Sequence, residues 1–196
     1  MNTRRCGFVI WLLAAPLLDG PSATAGEDSV ADQVVDMSTW SPTRIAAYRN
    51  HAMPEQTPLA VLKIPSIDLV VPVFEGTSES ILDHGAGRIE GTSHFGTLGN
   101  TGIAAHRDGF FRALRHVKVG AVLQVELPQT TLTYRVVSTR VIDPSQTSVL
   151  GPGDEPSITL VTCYPFYFVG SAPQRFIVRA TRVATDEESR LARARR

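Results

Sequence analysis

Cysteine is scarce in this sequence, which has 2 cysteines among 196 residues. Cys6 lies in an N-terminal targeting stretch, so the rest of the chain carries Cys163 alone and cannot form an internal disulfide. A single thiol also disfavours dithiol redox catalysis, because no second cysteine is present to resolve a mixed disulfide. An unpaired cysteine in an exported domain is a reactive group, an intermolecular partner or a buried small hydrophobe, and the cysteine count does not choose among them.

A surplus of charge of either sign is also missing. Lys and Arg together number 19, Asp and Glu together number 19, and the formal net charge is +0. Bulk charge therefore gives no basis for binding nucleic acid or an anionic surface, and we predict no nucleic-acid partner. The hydrophobic fraction of 43% is typical of a globular protein. The length suffices for one domain with a core and additional terminal segments.

The apolar run at residues 6–18 is short for a membrane span, with about 13 residues against the ~20 that a bilayer requires. Two arginines precede it and the small residues Ala-Thr-Ala follow it at positions 23–25, which is the layout of an export signal cleaved after residue 25. The alternative is an uncleaved anchor with its arginines inside. Residues 1–25 are therefore a signal peptide or a membrane anchor, and both predict export of the remaining chain to the cell envelope, in a periplasmic or other extracytoplasmic location.

The remaining chain divides into a linker, a folded domain and a tail. Residues 26–58 form the linker, which contains a short helix predicted from Pro42 to His51 with Ser41 as its N-cap. Residues 59–184 contain the strands of the folded domain. Residues 185–196 form a charged C-terminal tail.

Short β-favouring segments alternate with turns through the folded domain. The glycine-rich stretch 75–100 is predicted to be a loop with one helical turn near residues 78–83, and FFRALRHV from residue 110 predicts a second turn. Seven or eight short strands with little helix predict an all-β fold that is a closed or nearly closed barrel. The predicted strands are residues 59–64, 69–74, 102–105, 122–127, 132–142, 157–162 and 175–183.

Three residues at strand ends are the candidates for chemistry: His106 in IAAHRD, Cys163 in TLVTC and Arg175 in APQRFIVRA. The thiolate is the attacking form of cysteine, so a cysteine nucleophile needs a base or a cationic neighbour, and histidine can supply this. Arginine stays charged at any working pH and can donate to an oxyanion from a fixed fork. These residue types permit acyl transfer through a thioester, although their spacing does not establish that they meet.

Around these residues the sequence resembles the sortase family, the cysteine transpeptidases of bacterial surfaces. The resemblance covers about residues 59–183 and includes LKIPSIDLVVPVFEGT, GAGRIEGTSHFGTLGNTGIAAHRD and TCYPFYFVGSAPQRFIVRA. The last segment is most similar to class D sortases. One departure is Ala105 before His106, where the family often has glycine. An added methyl group is a small change, and we expect the role of the histidine to be intact.

The resemblance implies an eight-stranded sortase-type barrel in which Cys163 attacks the Thr carbonyl of an LPxT-type C-terminal sorting signal. It implies that His106 protonates the leaving amine and later deprotonates the incoming one, and that Arg175 stabilises the oxyanion or positions the signal. Family members hold thiolate and imidazolium together, so the pair titrates jointly. The implied partners are a protein with the signal, an amine acceptor such as peptidoglycan or another protein, and the membrane if the N-terminal segment is retained.

Two other functions stay open on the sequence. A hydrolytic thiol protease would resolve the thioester with water, and a non-catalytic peptide-binding β-barrel would keep the fold without turnover.

No cofactor is predicted. Asp154 and Glu155 offer too few oxygen ligands for calcium, so no metal is predicted either.

Residues flanking the candidates have alternative roles. Asp108 either orients His106 or forms a turn before Gly109. Thr162, next to Cys163, either positions substrate or is an ordinary strand residue. The aromatic residues at positions 164 and 166–168 either wall an apolar groove or pack in the core, and the other histidines, at positions 51, 84, 94 and 116, are predicted to be exposed.

Overall fold

The computed structural model describes residues 35–167 and 170–184. Eight strands form a closed barrel, in the order β1-β2-β3-β4-β7-β8-β6-β5, and β5 pairs with β1 to complete it. This confirms the predicted all-β fold, a closed eight-stranded barrel with short helices. The strands are β1 (Ala60–Ile64), β2 (Leu69–Glu75), β3 (Ala86–Arg88), β4 (Asn100–Ala104), β5 (Val122–Leu127), β6 (Thr130–Ile142), β7 (Ser157–Tyr164) and β8 (Gln174–Arg182).

Two strand pairs in the barrel are parallel, β2 with β3 and β4 with β7. Parallel neighbours need a crossover connection. Helix α2 (Glu79–His84) lies in the short crossover from β2 to β3, and the β5–β6 hairpin lies in the long one from β4 to β7. The long crossover places two strands side by side that are far apart in sequence. His106 follows the end of β4, and Cys163 lies near the end of β7.

The barrel interior is filled by aliphatic side chains from alternating strand positions. Leu123 and Val125 of β5, and Ile158 and Leu160 of β7, are all 0% exposed. Successive residues of a strand point to opposite faces, so the residues between these face away from the barrel core. This alternation was visible in the sequence of β5, β6 and β8, and it explains why those strands were predicted within one or two residues of their bounds.

Helix α1 (Pro42–Asn50) precedes the barrel and agrees with the helix predicted from residue 42. Ser41 is its N-cap, because the Ser41 hydroxyl accepts a hydrogen bond from the Arg44 amide at 3.1 Å. None of its residues is fully buried. The adjacent Trp40 is only 8% exposed, and its ring packs edge-on against Phe110 with 4.7 Å between centroids. Among the described residues, no helix is long and apolar enough to cross a membrane.

The prediction of a loop over residues 75–100 was wrong for residues 86–88, which form β3. This strand has three residues, all buried, so it shows no alternation of polar and apolar positions. Gly87 is required there, since a β-carbon at this position would lie 2.0 Å from the carbonyl oxygen of Gly76. The helical turn predicted near residues 78–83 is α2, and FFRALRH forms a 3-10 helix, Phe110–His116. The predicted export segment and the charged tail lie outside the described residues.

Candidate active site

Strand pairing places Cys163 beside Arg175. The two are directly opposite in the antiparallel pair of β7 and β8. Directly opposed residues in an antiparallel pair extend their side chains on the same face of the sheet. Cys163 is partly exposed and is a free thiol among the described residues. The thiol and the guanidinium therefore share the outer face of the barrel.

The parallel pairing of β4 and β7 brings His106 to the same place. Ala104 pairs with Val161, the Ala105 amide donates to the Val161 carbonyl at 3.3 Å, and the Thr162 hydroxyl donates to the Ala105 carbonyl at 2.7 Å. Ala105 packs in the core. His106 therefore leaves the strand on the outer face, next to Cys163. Thr162 contributes by fixing the backbone beside His106.

His106, Cys163 and Arg175 line one cleft with a volume of about 700 Å³. The structure thus brings together all three residues singled out in the sequence. Residues from α1, from the segment after His106 and from the β7–β8 connection complete the lining: Ser41, Thr43, Arg44, Arg107, Asp108, Arg112, Phe166, Tyr167, Gly170, Ser171 and Ala172.

The imidazole of His106 lies against two carboxylates of α2. Its Nε2 is 3.6 Å from Glu79 Oε1 and 3.8 Å from Asp83 Oδ1. This nitrogen is buried and has no hydrogen-bond partner among the described residues. Burial lowers the pKa of His106 below its ordinary value, and the positive charge of Arg44 lowers it further, against the opposing effect of Glu79, Asp108 and Asp83. The neutral imidazole is therefore favoured more than in a free histidine.

Arg44 of α1 links two carboxylates close to His106. Its guanidinium forms ion pairs with Asp83, which is 1% exposed, and with Asp108 at 3.3 Å. Asp83 also contacts the His51 ring, and the Ser41 hydroxyl donates to Asp108 at 2.7 Å. Burial would raise the pKa of the Asp108 carboxyl, but the Ser41 hydrogen bond and the charge of Arg44 lower it overall. Asp108 thus anchors α1 to the segment that carries His106.

Sequence reasoning missed Arg44 and Asp83. The N-cap at Ser41 was a visible signal for the start of a helix, but no pattern relates residue 44 to residues 83 and 108, which are 39 and 64 positions away. Asp108 was recognised as a residue that either orients His106 or forms a turn. In the structure its side chain contacts Ser41 and Arg44.

Two arginines connect the cleft to the segment between β7 and β8. Arg107 donates to the carbonyls of Pro165 at 3.1 Å and Gly170 at 2.8 Å. Arg175 donates through Nη1 to the carbonyls of Ala172 at 3.3 Å and Gln174 at 3.0 Å. These bonds tie the connection to the strand ends that carry His106 and Cys163.

The aromatic residues after Cys163 divide between the two roles considered for them. Phe166 is 8% exposed, belongs to the core and also lines the cleft. Tyr164 packs edge-on against Phe166, at 5.9 Å between centroids. Tyr167 is 70% exposed and lines the cleft. Phe168 lies outside the described residues.

The other histidines are exposed as predicted, with one exception. His51, His94 and His116 are exposed, but His84 is 3% exposed, so its predicted exposure was wrong. His84 ends α2, its Nδ1 lies 2.9 Å from the Ser80 carbonyl, and its ring lies 5.3 Å from that of Tyr48. Its burial follows from the packing of α1 against α2.

One group of side chains within the described residues could in principle hold a metal ion. Glu79, Asp83 and His106 each place one potential ligand atom within 4.8 Å of the others. Asp83 is already engaged by Arg44 and His51. An ion would have to displace the guanidinium, and three ligands fall short of the six to eight that calcium takes. This arrangement favours an electrostatic environment for His106 over a metal site.

The family model of the Sortase domain matches residues 62–183 of the chain. The chain therefore belongs to the sortase family, which are cysteine transpeptidases and generally act at the cell envelope. The resemblance to class D is confirmed by Sortase D of Bacillus subtilis (strain 168), which is 29% identical over 164 residues, covering 83% of this chain and 77% of that protein.

Solved sortase structures share the fold. Sortase C1 from Streptococcus agalactiae superposes with a TM-score of 0.62 at 28% identity, covering 78% of this chain and 81% of the other. A lid mutant of Sortase A from Corynebacterium diphtheriae gives a TM-score of 0.61 at 31% identity, covering 68% and 74%. A Clostridium perfringens Sortase D5 transpeptidase, at 24% identity and a TM-score of 0.60, covers 72% and 88% and supports the fold alone.

Proposed function

We propose that the enzyme cleaves an LPxT-type C-terminal sorting signal after Thr and transfers the protein to an amine acceptor at the cell surface. Sortases act on proteins with sorting signals and on amine acceptors, and this chain belongs to that family. The observation that carries the assignment is the shared cleft of His106, Cys163 and Arg175 on the outer face of the barrel. Peptidoglycan and a second protein can each supply the free amine that the acceptor needs.

In the first half-reaction, the Cys163 thiolate attacks the Thr carbonyl carbon and a tetrahedral intermediate forms. The C–N bond then breaks, the leaving amine takes a proton from His106, and the acyl group remains on sulfur as a thioester. In the second half-reaction the acceptor amine attacks this carbonyl and gives its proton to His106. The C–S bond breaks, a new amide forms, and Cys163 is regenerated.

Arg175 is the proposed oxyanion or substrate-positioning group. Its place opposite Cys163 in the strand pair puts a permanent positive charge beside the reacting carbonyl. In the structure its Nη1 bonds backbone carbonyls at residues 172 and 174. These bonds hold the guanidinium at the cleft and limit the reorganisation needed during the reaction.

The same proposal includes an extracytoplasmic location for the enzyme. Sortases are generally cell-envelope enzymes. Residues 1–25 have the composition of a signal peptide or anchor. Western blotting of cell fractions with antibodies against the barrel, before and after inhibition of signal peptidase, would distinguish cleavage from retention by the size of the protein.

A quenched LPxT peptide tests the function directly. Wild-type protein should cleave it, form a thioacyl adduct on Cys163 detectable by intact mass, and give an amine-dependent product when oligoglycine is added. Cys163→Ala should bind the peptide without turnover, and Arg140→Gln, on the exposed face of β6, serves as a control. Cleavage unaffected by amine would favour the thiol protease, and absence of both labelling and turnover would favour the peptide-binding barrel.

A further inference from the structure

Arg112 and Arg115 form a paired basic feature beside the catalytic cleft. Both lie on the 3-10 helix Phe110–His116, where residues three apart are on the same side of the helix. Their guanidinium carbons lie 5.0 Å and 5.4 Å from the centre of the Tyr167 ring. Arg112 and Tyr167 line the cleft, and Arg115 contacts the same Tyr167 ring. Both guanidinium groups therefore interact with one exposed aromatic ring, which offsets part of their mutual repulsion.

The two guanidinium groups retain donor capacity. Arg112 Nε and Arg115 Nη1 are buried and have no hydrogen-bond partner in the part of the chain that the structure describes. Within that part neither arginine forms an ion pair, and Arg115 Nε donates to the ring of the adjacent His116 at 2.7 Å. A buried N–H without an acceptor is costly. An incoming anion would bond the other N–H groups of Arg112, which is half-buried and lines the cleft, and would stabilise the guanidinium as a whole.

The charge of the cleft lining favours the same class of ligand. Among the described residues that line it are Arg44, Arg107, Arg112 and Arg175, against one carboxylate, Asp108. Asp108 is already occupied by Arg44 and Ser41. Within the described residues Arg112 and Arg175 form no ion pair, so the one carboxylate of the lining does not balance their charge. A partly enclosed cleft with an excess of one sign concentrates ligands of the opposite sign.

We propose that Arg112, supported by Arg115 and Tyr167, binds a carboxylate of the substrate during acyl transfer. This inference rests on the proposed function and adds a specificity determinant to it. A carboxylate fits because the planar guanidinium fork can bond both of its oxygens. The subsite lies near the base, since the amides of Gly109 and Phe111, which start the 3-10 helix, both donate to the His106 carbonyl at 3.3 Å. The carboxylate comes from an acidic side chain in the sorting signal or from the acceptor amine.

Matched substrates distinguish the two sources. One pair of donor peptides differs only by Asp or Asn at the variable position of LPxT. One pair of acceptors, glycylglycine and glycylglycinamide, differs only by carboxylate or amide at its end. With the full-length enzyme we expect the carboxylate member of one pair to have a kcat/KM about tenfold higher, as for a charge-assisted hydrogen bond near 1.4 kcal/mol. The pair that shows this preference identifies the source.

Variants assign the preference to the arginine pair. Arg112→Gln should bring the carboxylate-to-amide ratio to about one, Arg112→Glu should invert it, and Arg112→Lys, which keeps the charge without the fork, should retain part of it. Arg140→Gln, an equal charge change at an exposed site on β6, should leave the ratio unchanged. Circular dichroism and thermal melting confirm folding of each variant.

The proposal fails if neither pair shows a preference in wild type, or if Arg112→Gln keeps it. Turnover of the amide members tests the proposed transpeptidase function independently of the carboxylate preference. If no substrate is turned over, calorimetric titration of Cys163→Ala with both pairs still tests the subsite. Equal dissociation constants within each pair would then overturn it.

Discussion

Replacing Arg44 with Met tests whether α1 controls the protonation of His106. The change removes a positive charge that opposes the imidazolium and leaves three carboxylates, Glu79, Asp83 and Asp108, facing the ring. The loss of the positive charge and the remaining carboxylates both favour protonation of His106. The pKa of His106 should therefore rise in Arg44→Met, and the acid limb of the pH–rate profile should move to higher pH.

The size of the effect follows from the geometry. Arg44 binds the same Asp83 oxygen that lies 3.8 Å from His106 Nε2. The imidazolium and guanidinium charges are then roughly 6 Å apart, and at an effective dielectric constant of about 20 they repel by about 3 kcal/mol. Water at the cleft reduces this to about 1.4 kcal/mol, which is a tenfold change in the ratio of protonated to neutral imidazole.

The assay combines NMR titration with kinetics. Imidazole carbon signals of 13C-histidine protein report the protonation of His106, assigned by comparison with His106→Gln. If imidazolium is the active form, kcat/KM at the optimum should rise in Arg44→Met, whereas a neutral active form predicts no rise. Loss of the ion pair to buried Asp83 should also cost about 3 kcal/mol of stability. The titrations should therefore be run well below the melting temperature of the variant.

Two matched variants decide the interpretation. Arg44→Lys keeps the charge and should retain the wild-type titration of His106. Arg49→Met removes an exposed arginine from the same helix and should behave as wild type. A titration midpoint for His106 that is unchanged or lower in Arg44→Met would refute the electrostatic coupling between α1 and the base.

Three further predictions concern the packing around the cleft. Trp40→Ala removes the ring that packs on Phe110 at 4.7 Å and should cost about 3 kcal/mol in urea denaturation, with Trp40→Phe recovering most of it, and an equal loss in both variants would contradict this. Gly87→Ala should destabilise the barrel by about 3 kcal/mol or more, because the new β-carbon would meet the Gly76 carbonyl oxygen, and a wild-type unfolding midpoint would exclude the clash. The pKa of Asp108 is lower in the folded protein than its ordinary value of 3.8, so its stabilising contribution is complete above that pH and is lost as the pH falls through the lower folded value. In a Trp11→Phe background, the fluorescence of Trp40 should therefore change below about pH 4. Adding Asp108→Asn to this background should remove that change in fluorescence.

The sequence allowed most of the barrel to be predicted because its long strands expose one face and bury the other. β6 has 13 residues with alternating burial over much of its length, which a period of two reveals directly. β3 gave no such signal, since its three residues are all buried and one is glycine. The burial of His84 was also missed because it depends on packing between two short helices, and neither helix shows which face is covered.

For the candidate site, residue chemistry and motif similarity were sufficient to select His106, Cys163 and Arg175. The strand pairings then bring them to one cleft. The electrostatic environment was not predictable in the same way. Arg44 contacts Asp83 and Asp108 through the docking of α1, and this contact depends on tertiary structure with no local pattern in the chain.

The two faces of β7 have different roles: the inward residues stabilise the fold, and the outward face carries Cys163. Ile158 and Leu160 hold the interior closed, while Val161 and Cys163 belong to the opposite side of the same strand. Substitutions at the outward positions can change which peptides are accepted without opening a void inside the barrel. A single scaffold can therefore diversify its recognition of peptides while its melting behaviour stays nearly constant.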